Sequence, residues 1–345
     1  GAPGPATLRV LDEDGQVLAT VPVGRAFTPC RVPLPPSATG VELRFTSEVF
    51  TPAGDDVRQL GVGVSRPRVA TSREDARQWL ALRFPWLLRD PRDVAFLSSY
   101  DTVLANSEYT RGWIRALWER DAEVLYPPIQ VDKLHPAPAG ERERAVLSVG
   151  RFFAPGLGHA KRQLEMVRWF GALVRAGRLP GWRMHVVGGC EDSQLPYLAE
   201  VRAAATGLPV EVHPNAPRAE VETLLARCAL FWSATGYGED ATRRPWTAEH
   251  FGMTTVEAMA GGCVPVVIDR AGQREIVRDG VDGLRWGTPA ELADATVRLT
   301  GDAALRARLA ASAVQRAGLY SDAAFARRWR DIAARHGLAA DLPAG

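Results

Sequence analysis

Between residues 144 and 336, short apolar runs alternate with longer stretches in which apolar side chains recur every three or four positions. The short runs predict strands and the longer periodic stretches predict helices. The predicted strands are 145–150, 184–187, 210–212, 230–233 and 264–268, and the predicted helices are 161–175, 194–205, 219–227, 253–260, 273–278, 289–299, 303–317 and 322–336. Five strand–helix pairs and a helical tail predict an α/β domain with a doubly wound parallel sheet over residues 144–345.

Residues 1–70 have the pattern of a small all-β, sandwich-like domain. Apolar and polar residues alternate strictly over 41–45, which predicts a half-buried strand. An Asp-Gly pair at 14–15 lies between two apolar runs, and this arrangement is typical of a β-hairpin. The predicted strands are 7–11, 16–21, 41–45, 61–64 and 68–70. We interpret this domain either as a structural accessory or as a module that binds carbohydrate or another partner.

Residues 71–143 predict a partial Rossmann-like segment followed by a linker. After a helix over 72–82, the pattern predicts a strand–helix–strand unit, which is a signature of a parallel sheet. The strands of this unit are predicted over 100–106 and 123–126. Ser107 is placed to cap the helix, which extends to residue 118. The apolar side of this helix is expected to carry Trp113, Leu117 and Trp118.

The charges and cysteines limit the partners and the compartment. The chain has 345 residues, with 42 Lys and Arg against 40 Asp and Glu and a net charge of +2. This balance gives no electrostatic reason to expect nucleic acid or an anionic membrane as the main partner, so we expect at most peripheral membrane contact. No apolar run is long enough for a transmembrane helix, and no signal peptide is visible. The four cysteines form no CxxC pair, which favours buried free thiols in the cytoplasm.

A glycine-rich loop follows the first predicted strand of the α/β domain. It runs from Gly150 to Lys161 and includes Gly156 and Gly158. Glycines let backbone amides approach an anion closely, and the start of the next helix adds partial positive charge. Arg151 and Lys161 add two full charges, so we interpret the loop as a diphosphate site. The spacing fits neither a dinucleotide-binding loop nor a Walker A loop, and a solvated surface loop is the alternative interpretation.

A second candidate feature is the segment from Glu249 to Glu257, E-H-F-G-M-T-T-V-E. Gly252 permits a sharp entry into a helix, and the amides of Met253 and Thr254 in its first turn have no acceptor inside the helix. Because the segment follows a predicted strand, these amides should lie at the same edge of the sheet as the glycine-rich loop. Glu249 and Glu257 are eight residues apart across the boundary between the loop and the helix, so we expect them to bind two different parts of one extended ligand. Solvated surface carboxylates are the alternative interpretation.

Taken together, these residues resemble a known family. The segment 249–257, the run A-M-A-G-G-C-V-P-V-V at 258–267 and the turn G-Q-R-E-I-V-R-D-G-V-D-G at 272–283 resemble the nucleotide-sugar half of GT-B-fold retaining glycosyltransferases of family 4, the glycosyl transferases group 1. S-V-G-R at 148–151, with the lysine that follows the loop, resembles the diphosphate-binding pair of that family. The E-H-F-G version of the motif is similar to the branch that includes lipid-linked-oligosaccharide mannosyltransferases. The resemblance covers residues 84–336.

The resemblance implies a hexosyltransferase that uses a UDP- or GDP-linked sugar, retains the anomeric configuration and needs neither a metal nor a cofactor. Its implied catalytic residues are Glu249, which would hold donor-sugar hydroxyls, and Arg151 and Lys161, which would neutralise the departing diphosphate. The implied donor-binding residues are Gly150, Arg151, Lys161, Asn215, Glu249, Phe251, Gly252, Met253, Thr254 and Glu257. Glu257 would accept hydrogen bonds from the ribose, and the loop 213–216 would lie at the base. The implied acceptor is a carbohydrate or a lipid-linked carbohydrate.

The chain departs from this family on the acceptor side. Only residues 84–143 resemble the acceptor-side Rossmann-like domain, and no histidine precedes His135, so the acceptor-side histidine of the family has no counterpart. We therefore expect either a fragment of a longer enzyme or a truncated acceptor half. The six histidines show no spacing typical of metal ligands. We interpret His250 as a residue that supports the motif, and His159 either as a phosphate contact or as an ordinary loop residue.

Two other functions stay open at this point. The first is a non-catalytic protein that binds carbohydrate or nucleotide sugar, and turnover of a donor would separate it from the transferase. The second is a dinucleotide-dependent oxidoreductase. It fits the α/β alternation, but the chain lacks a Gly-x-Gly-x-x-Gly loop followed by an acidic residue. We therefore favour the glycosyltransferase.

Overall fold

The computed structural model describes residues 6–11, 17–23, 44–47, 97, 99–155, 160–241 and 244–337. The chain divides into two compact units, Gly1–Asp90 and Pro91–Gly345. The predicted domain boundaries after residues 70 and 143 stay predictions. Several predicted features lie outside the described residues: the Asp-Gly pair at 14–15, Cys30, the predicted strands 61–64 and 68–70, the predicted helix 72–82, Gly156, Gly158 and His159.

In the first unit, the structure describes one antiparallel sheet of three strands. β1 (Ala6–Leu11) lies between β2 (Val17–Val23) and β3 (Arg44–Ser47). The pairing of β1 with β2 is antiparallel, which confirms the pairing predicted from the Asp-Gly turn. The predicted strand over 41–45 overlaps β3, which pairs with β1 from Arg44 to Ser47; residues 41–43 lie outside the described residues. The second layer of a sandwich stays a prediction.

In the second unit, a small strand–helix–strand segment has the predicted parallel pairing. β4 (Leu104–Ala105) pairs with β5 (Glu123–Val124), and α1 (Glu108–Trp118) connects them. Ser107 caps α1 as predicted, because its side chain accepts a hydrogen bond from the Thr110 N–H. The prediction for the apolar side of α1 was wrong in part, since Leu117 and Trp118 are 45% and 38% exposed. Two short strands cover only the middle of the helix, at Ile114, and leave its last turn open.

The main body of the second unit is a six-stranded parallel sheet, which confirms the predicted α/β fold. Its strands are β6 (Glu143–Val149), β7 (Arg183–Gly188), β8 (Val210–Pro214), β9 (Cys228–Ser233), β10 (Val264–Ile268) and β11 (Leu284–Trp286). Their spatial order is β11-β10-β9-β6-β7-β8. The chain therefore winds outward in both directions from the β6–β9 boundary, where ligands bind in such sheets. β11 was missed because Arg285 interrupts a run of only three residues.

Helices cover both faces of this sheet. They are α2 (Gln163–Arg175), α3 (Leu195–Ala205), α4 (Arg218–Arg227), α5 (Met253–Ala260), α6 (Gln273–Ile276), α7 (Pro289–Gly301), α8 (Ala303–Ala317) and α9 (Asp322–Arg335). α5 and α8 have the predicted bounds. α6 ends earlier than predicted because Val277 is extended and the Arg278 N–H donates to the Asp282 side chain. In the part of the chain that is described, no helix combines the length and the apolar character required to span a bilayer.

Neighbouring residues of each central strand face opposite layers of the core, because side chains alternate along a strand. One layer contains Val146, Trp232 and Val266 with Phe170 of α2. The other layer contains Leu147, Phe231 and Val267 with Met259 of α5. β9 and β10 are buried at every position, which explains why both read as continuous apolar runs.

Glu275 of α6 joins α1 to the main body. Its carboxylate accepts hydrogen bonds from the N–H groups of Glu108 and Tyr109, at 2.8 and 2.7 Å. Negative charge at a helix N-terminus is favourable because the first-turn amides lack partners inside the helix. Burial raises the pKa of Glu275 above its ordinary value, against the lowering effect of these two bonds. α9 makes a second attachment, where the Arg328 Nε donates to the carbonyl oxygen of Val124 in β5.

The close approach of β6 and β7 at the end of the sheet gives the first prediction. A Cβ on Gly188 would overlap the carbonyl oxygen of Gly150. We expect Gly188→Ala to lower the free energy of unfolding by about 1–3 kcal/mol, because the backbone must shift to relieve the overlap. Chemical denaturation measures this change.

The matched control is Gly301→Ala at the end of α7, where an added Cβ meets no atom of the described residues within 4 Å beyond the backbone of its own helix. We expect this variant to leave the free energy of unfolding unchanged or to raise it by up to about 1 kcal/mol, because alanine favours the helix. Equal destabilisation by the two substitutions would show that crowding at Gly188 is not the cause.

Candidate functional site

The carboxyl ends of three adjacent strands are joined by backbone hydrogen bonds. The Gly150 N–H donates to the Val187 carbonyl at 2.9 Å, and the Asn215 N–H donates to the Gly188 carbonyl at 2.9 Å. Asn215 has a left-handed backbone (φ 55°), a conformation that asparagine tolerates better than most residues. Its side chain accepts from the Cys190 N–H at 2.7 Å and so fixes the loop after β7. Gly150 and Asn215, both predicted as site residues, therefore lie at one edge of the sheet.

Lys161 and Glu249 meet at this edge. The Lys161 side chain passes Gly150 so closely that a Cβ there would lie 2.6 Å from its Cγ. The Lys161 ammonium donates to Oε2 of Glu249, and the Thr235 hydroxyl donates to the same oxygen at 3.2 Å. The Lys161 and Glu249 side chains are 21% and 17% exposed, so the pair is sheltered but open to solvent. The glycine-rich loop and the segment after β9 thus share one ion pair.

The N-terminus of α5 follows Glu249 by four residues along the chain. Gly252 precedes the helix with φ 118°, a conformation that favours glycine. The Gly272 N–H donates to the backbone carbonyl of Glu249 at 2.9 Å, which fixes the entry to the helix. Among the described residues, the N–H groups of Met253 and Thr254 have no acceptor. These two amides are available to an anion.

The side chain of Phe251 is buried in the core, so it contributes to packing more than to contact with a ligand. It is 3% exposed and stacks on Tyr126, with ring centroids 5.5 Å apart. Met253 is 49% exposed. The backbone of both residues therefore remains the predicted contact, while the Phe251 side chain anchors the loop to the core.

Arg151 lies next to Gly150 and is exposed. Its guanidinium lies 4.7 Å above the ring of Phe153. No carboxylate pairs with Arg151 within the part of the chain that the structure describes. Its charge is therefore not neutralised locally, in contrast to that of Lys161.

Glu257 of α5 is not a free carboxylate. Its Oε1 accepts from the guanidinium of Arg218 at 2.8 Å, and Arg218 also pairs with Glu222 at 2.8 Å. The Glu257 side chain is 15% exposed. The sequence predicted neither this partner nor its consequence: a ligand hydroxyl must share Glu257 with Arg218.

Gln163 is a site residue that sequence reasoning missed. It is the first residue of α2 and is 1% exposed. Its side-chain amide donates to the carbonyl oxygens of Gly150 and Arg151, at 3.0 and 2.9 Å, and so fixes the start of the glycine-rich loop. The only signal in the sequence is a polar residue at a helix position whose later repeats, Val167 and Phe170, are apolar.

A second arrangement lies on β7 and β8 and was also missed. The side chains of His185 and His213 are 3.1 Å apart at their nearest nitrogens, beside Glu211. Burial lowers the pKa of His185. The two histidines are 28 residues apart in the sequence. Only the pairing of β7 with β8 brings them together, so the sequence alone gives no sign of their contact.

A family model matches over half of the chain. The model, described as "Glycosyl transferases group 1", matches residues 133–316, which include β6 to β11. No curated protein matches the chain in sequence.

Several solved structures have a similar fold. Anabaena Alr3699/HepE, determined in complex with UDP, has 21% identity and a TM-score of 0.56, over 68% of this chain and 64% of that one. Sucrose-phosphate synthase from Thermosynechococcus elongatus has 18% identity and a TM-score of 0.56, over 73% and 63%. TarM, from S. aureus, has 17% identity and a TM-score of 0.55, over 70% and 45%. The chain therefore spans less than two thirds of the length of each.

The Lys161–Glu249 pair gives a prediction about coupling. We expect Lys161→Met to lower the free energy of unfolding by about 1–3 kcal/mol, because it leaves a mostly buried carboxylate whose remaining side-chain donor, among the described residues, is Thr235. The double variant with Glu249→Gln should lose less than the sum of the single losses, with a coupling energy of about 0.5–3 kcal/mol. Denaturant unfolding of all four proteins measures the cycle.

The surface pair Arg178–Asp294, at 3.0 Å with side chains 42% and 75% exposed, is the matched control. The same cycle there should give a coupling near zero and at most about 1 kcal/mol. Additive losses at Lys161 and Glu249 would mean that the two side chains do not stabilise each other.

Proposed function

Because the chain belongs to the glycosyl transferases group 1 family, we propose that it transfers a hexose from a nucleoside-diphosphate sugar to a carbohydrate or lipid-linked acceptor, with retention at the anomeric carbon, as in family 4. One observation carries this proposal. The Lys161 ammonium, the Glu249 carboxylate and the Gly150 backbone meet at the sheet edge where the α5 amides begin. A cation, a hydroxyl acceptor and free amides in one place suit a sugar diphosphate.

The diphosphate side of this site is built to hold negative charge. As the bond between sugar and phosphate breaks, negative charge grows on the leaving phosphate, and fixed positive groups stabilise that transition state. Lys161 and Arg151 supply full charges, and the N–H groups of Met253 and Thr254 supply hydrogen bonds. We propose that the transfer itself uses no metal and no cofactor, because Lys161, Arg151 and the α5 amides supply the positive charge and hydrogen bonds that a diphosphate needs.

The sugar side of the site uses Glu249. Without a ligand, Glu249 is the counter-ion of Lys161. When a diphosphate binds, Lys161 gains a second anionic partner, and the carboxylate becomes available to accept hydrogen bonds from sugar hydroxyls. Thr235 continues to hold the same carboxylate oxygen and orients it. The ion pair therefore keeps both groups in place for the donor.

The nucleoside is proposed to lie along β8 and α5. Asn215 and the loop 213–216 would contact the base, and Glu257 would accept hydrogen bonds from the ribose. Both UDP and GDP sugars are consistent with these groups. The structures of Alr3699/HepE in complex with UDP and with UDP-glucose support testing UDP first. The described cysteines, Cys190, Cys228 and Cys263, are free, which supports a reducing, cytoplasmic location.

The role of the two cations leads to a prediction about binding. Arg151→Ala and Lys161→Ala should each weaken the binding of UDP or GDP by about 1.5–3 kcal/mol, the value of a hydrogen bond to a charged group, which is about 10- to 150-fold. Isothermal titration calorimetry measures this loss. Lys133→Ala, which removes the only other lysine of the chain, is the control and should bind as the unchanged protein does.

Turnover then separates the transferase from a protein that only binds. Release of UDP or GDP from a matching sugar donor should disappear in Glu249→Gln while nucleotide binding is kept. Binding without any release from every common donor would favour the non-catalytic alternative. Failure of all nucleoside diphosphates to bind at millimolar concentration would refute the proposal.

The proposed contact between Glu257 and the ribose leads to a prediction that distinguishes nucleoside binding from diphosphate binding. Glu257→Gln should weaken UDP or GDP binding by about 1.5–3 kcal/mol but leave inorganic pyrophosphate binding unchanged, because only the nucleoside offers ribose hydroxyls. Glu222→Gln removes the other carboxylate of Arg218 and should alter neither ligand. An equal loss for pyrophosphate and nucleotide would place Glu257 at the phosphates instead.

A further inference from the structure

Two histidines and a glutamate lie together on the outer strands of the sheet, on the layer that α4 covers. His185 of β7 pairs in register with Glu211 of β8, and His213 follows Glu211 by two positions, so all three side chains project from the same face. His185 is 4% exposed, whereas the side chains of His213 and Glu211 are 20% and 52% exposed. The cluster is therefore buried at His185 and open to solvent at Glu211.

The distances between the three donor atoms are close to those around a bound metal. His185 Nδ1 lies 3.1 Å from His213 Nε2 and 3.8 Å from Glu211 Oε2, and His213 Nε2 lies 3.9 Å from Glu211 Oε2. In a tetrahedral zinc site, bonds of about 2.0–2.1 Å place neighbouring ligand atoms about 3.3 Å apart. Shifts of a few tenths of an ångström would bring all three atoms to bonding distance of one ion.

The outer nitrogens of both histidines face carboxylates. His213 Nδ1 lies 2.7 Å from Glu220 Oε1, so it carries a proton and leaves Nε2 with a lone pair. His185 Nε2 lies 3.6 Å from Glu143 Oε2, and it is buried with no hydrogen-bond partner among the residues that the structure describes. In metal sites, each ligating histidine usually donates its other N–H to a carboxylate or carbonyl. Glu220 and Glu143 stand in those positions.

Without a metal, two neutral histidines leave one of these nitrogens, His185 Nε2, without a favourable partner. His185 Nδ1 would then donate to His213 Nε2, and the bare lone pair of His185 Nε2 would face the Glu143 carboxylate. Burying an acceptor against another acceptor is unfavourable. A metal bound between His185 Nδ1 and His213 Nε2 would leave the His185 proton on its own Nε2, where it faces the Glu143 carboxylate.

We propose that His185, His213 and Glu211 bind a divalent transition-metal ion of the zinc type, with water as the fourth ligand. Imidazole nitrogens favour zinc and its neighbours over Mg²⁺ and Ca²⁺, which take oxygen ligands. The ion fixes the edge strand β8 to β7 and, through Glu220, to α4. It is a structural site and does not depend on the proposed sugar transfer.

A neighbouring group of Glu143, His185 and Cys228 is a weaker candidate. Glu143 is already paired with Arg227 at 2.5 Å, and Cys228 is fully buried. A metal at that position would share the Glu143 carboxylate with Arg227. Glu143 is therefore better suited to support His185 than to bind the ion.

The experiment titrates the full chain, stripped with a chelator, with Zn²⁺ against a chromogenic competitor. We expect one ion per chain and a rise in melting temperature, because an ion that binds only the folded state stabilises it. His213→Gln and Glu211→Gln should abolish or strongly weaken binding, and Glu220→Gln should weaken it by about 10- to 100-fold. Circular dichroism checks that each variant is folded, and these three sites are exposed enough to substitute without disrupting the core.

The control is His336→Gln, which removes a histidine that also pairs with a carboxylate, Glu123, on the surface. It should bind Zn²⁺ as tightly as the unchanged chain. Cobalt(II) gives a second readout, since a tetrahedral site produces intense visible bands that His213→Gln should remove. The proposal is overturned if the chain binds no Zn²⁺, if His213→Gln binds it as tightly as the unchanged chain, or if cobalt shows only the weak spectrum of a hydrated ion.

Discussion

The candidate site depends on the close approach of two backbones at the carboxyl ends of β6 and β7. The Gly150 N–H reaches the Val187 carbonyl, and only a glycine at 188 leaves room for the Gly150 carbonyl oxygen. Gln163 holds that same carbonyl from the start of α2. This packing fixes the path of the glycine-rich loop, and the path in turn determines where the Lys161 ammonium lies.

The ion pair between Lys161 and Glu249 shows how such a site remains stable before a ligand binds. Two charges with little solvent exposure would each be costly alone, but each satisfies the other across 88 residues of sequence. The pair also connects the loop after β6 to the segment after β9, which lie on the two sides of the point where the sheet reverses its winding. One interaction therefore serves stability and keeps the chemical groups at the ligand edge.

The sequence predicted α5 and α8 with the correct bounds because their limits are set locally. Gly252 ends the preceding loop, Asp302 caps α8 with its side chain, and apolar residues recur at helical spacing between such signals. β11 was missed for the opposite reason, since three residues around Arg285 become a strand only because β10 offers them a partner. The exposed end of α1 was also beyond local reasoning, because burial depends on how much surface the neighbouring strands provide.

By itself, the sequence determined the alternation of strands and helices, the positions of the glycine-rich loop and of the α5 N-terminus, and hence the edge of the sheet where a ligand would bind. These features follow from residue spacing and from rules for helix starts, which act over a few residues. Only the tertiary structure decided that Glu249 is the partner of Lys161, that Arg218 holds Glu257, and that His185 meets His213. Those contacts depend on strand order and register, which bring together side chains that no spacing along the chain relates.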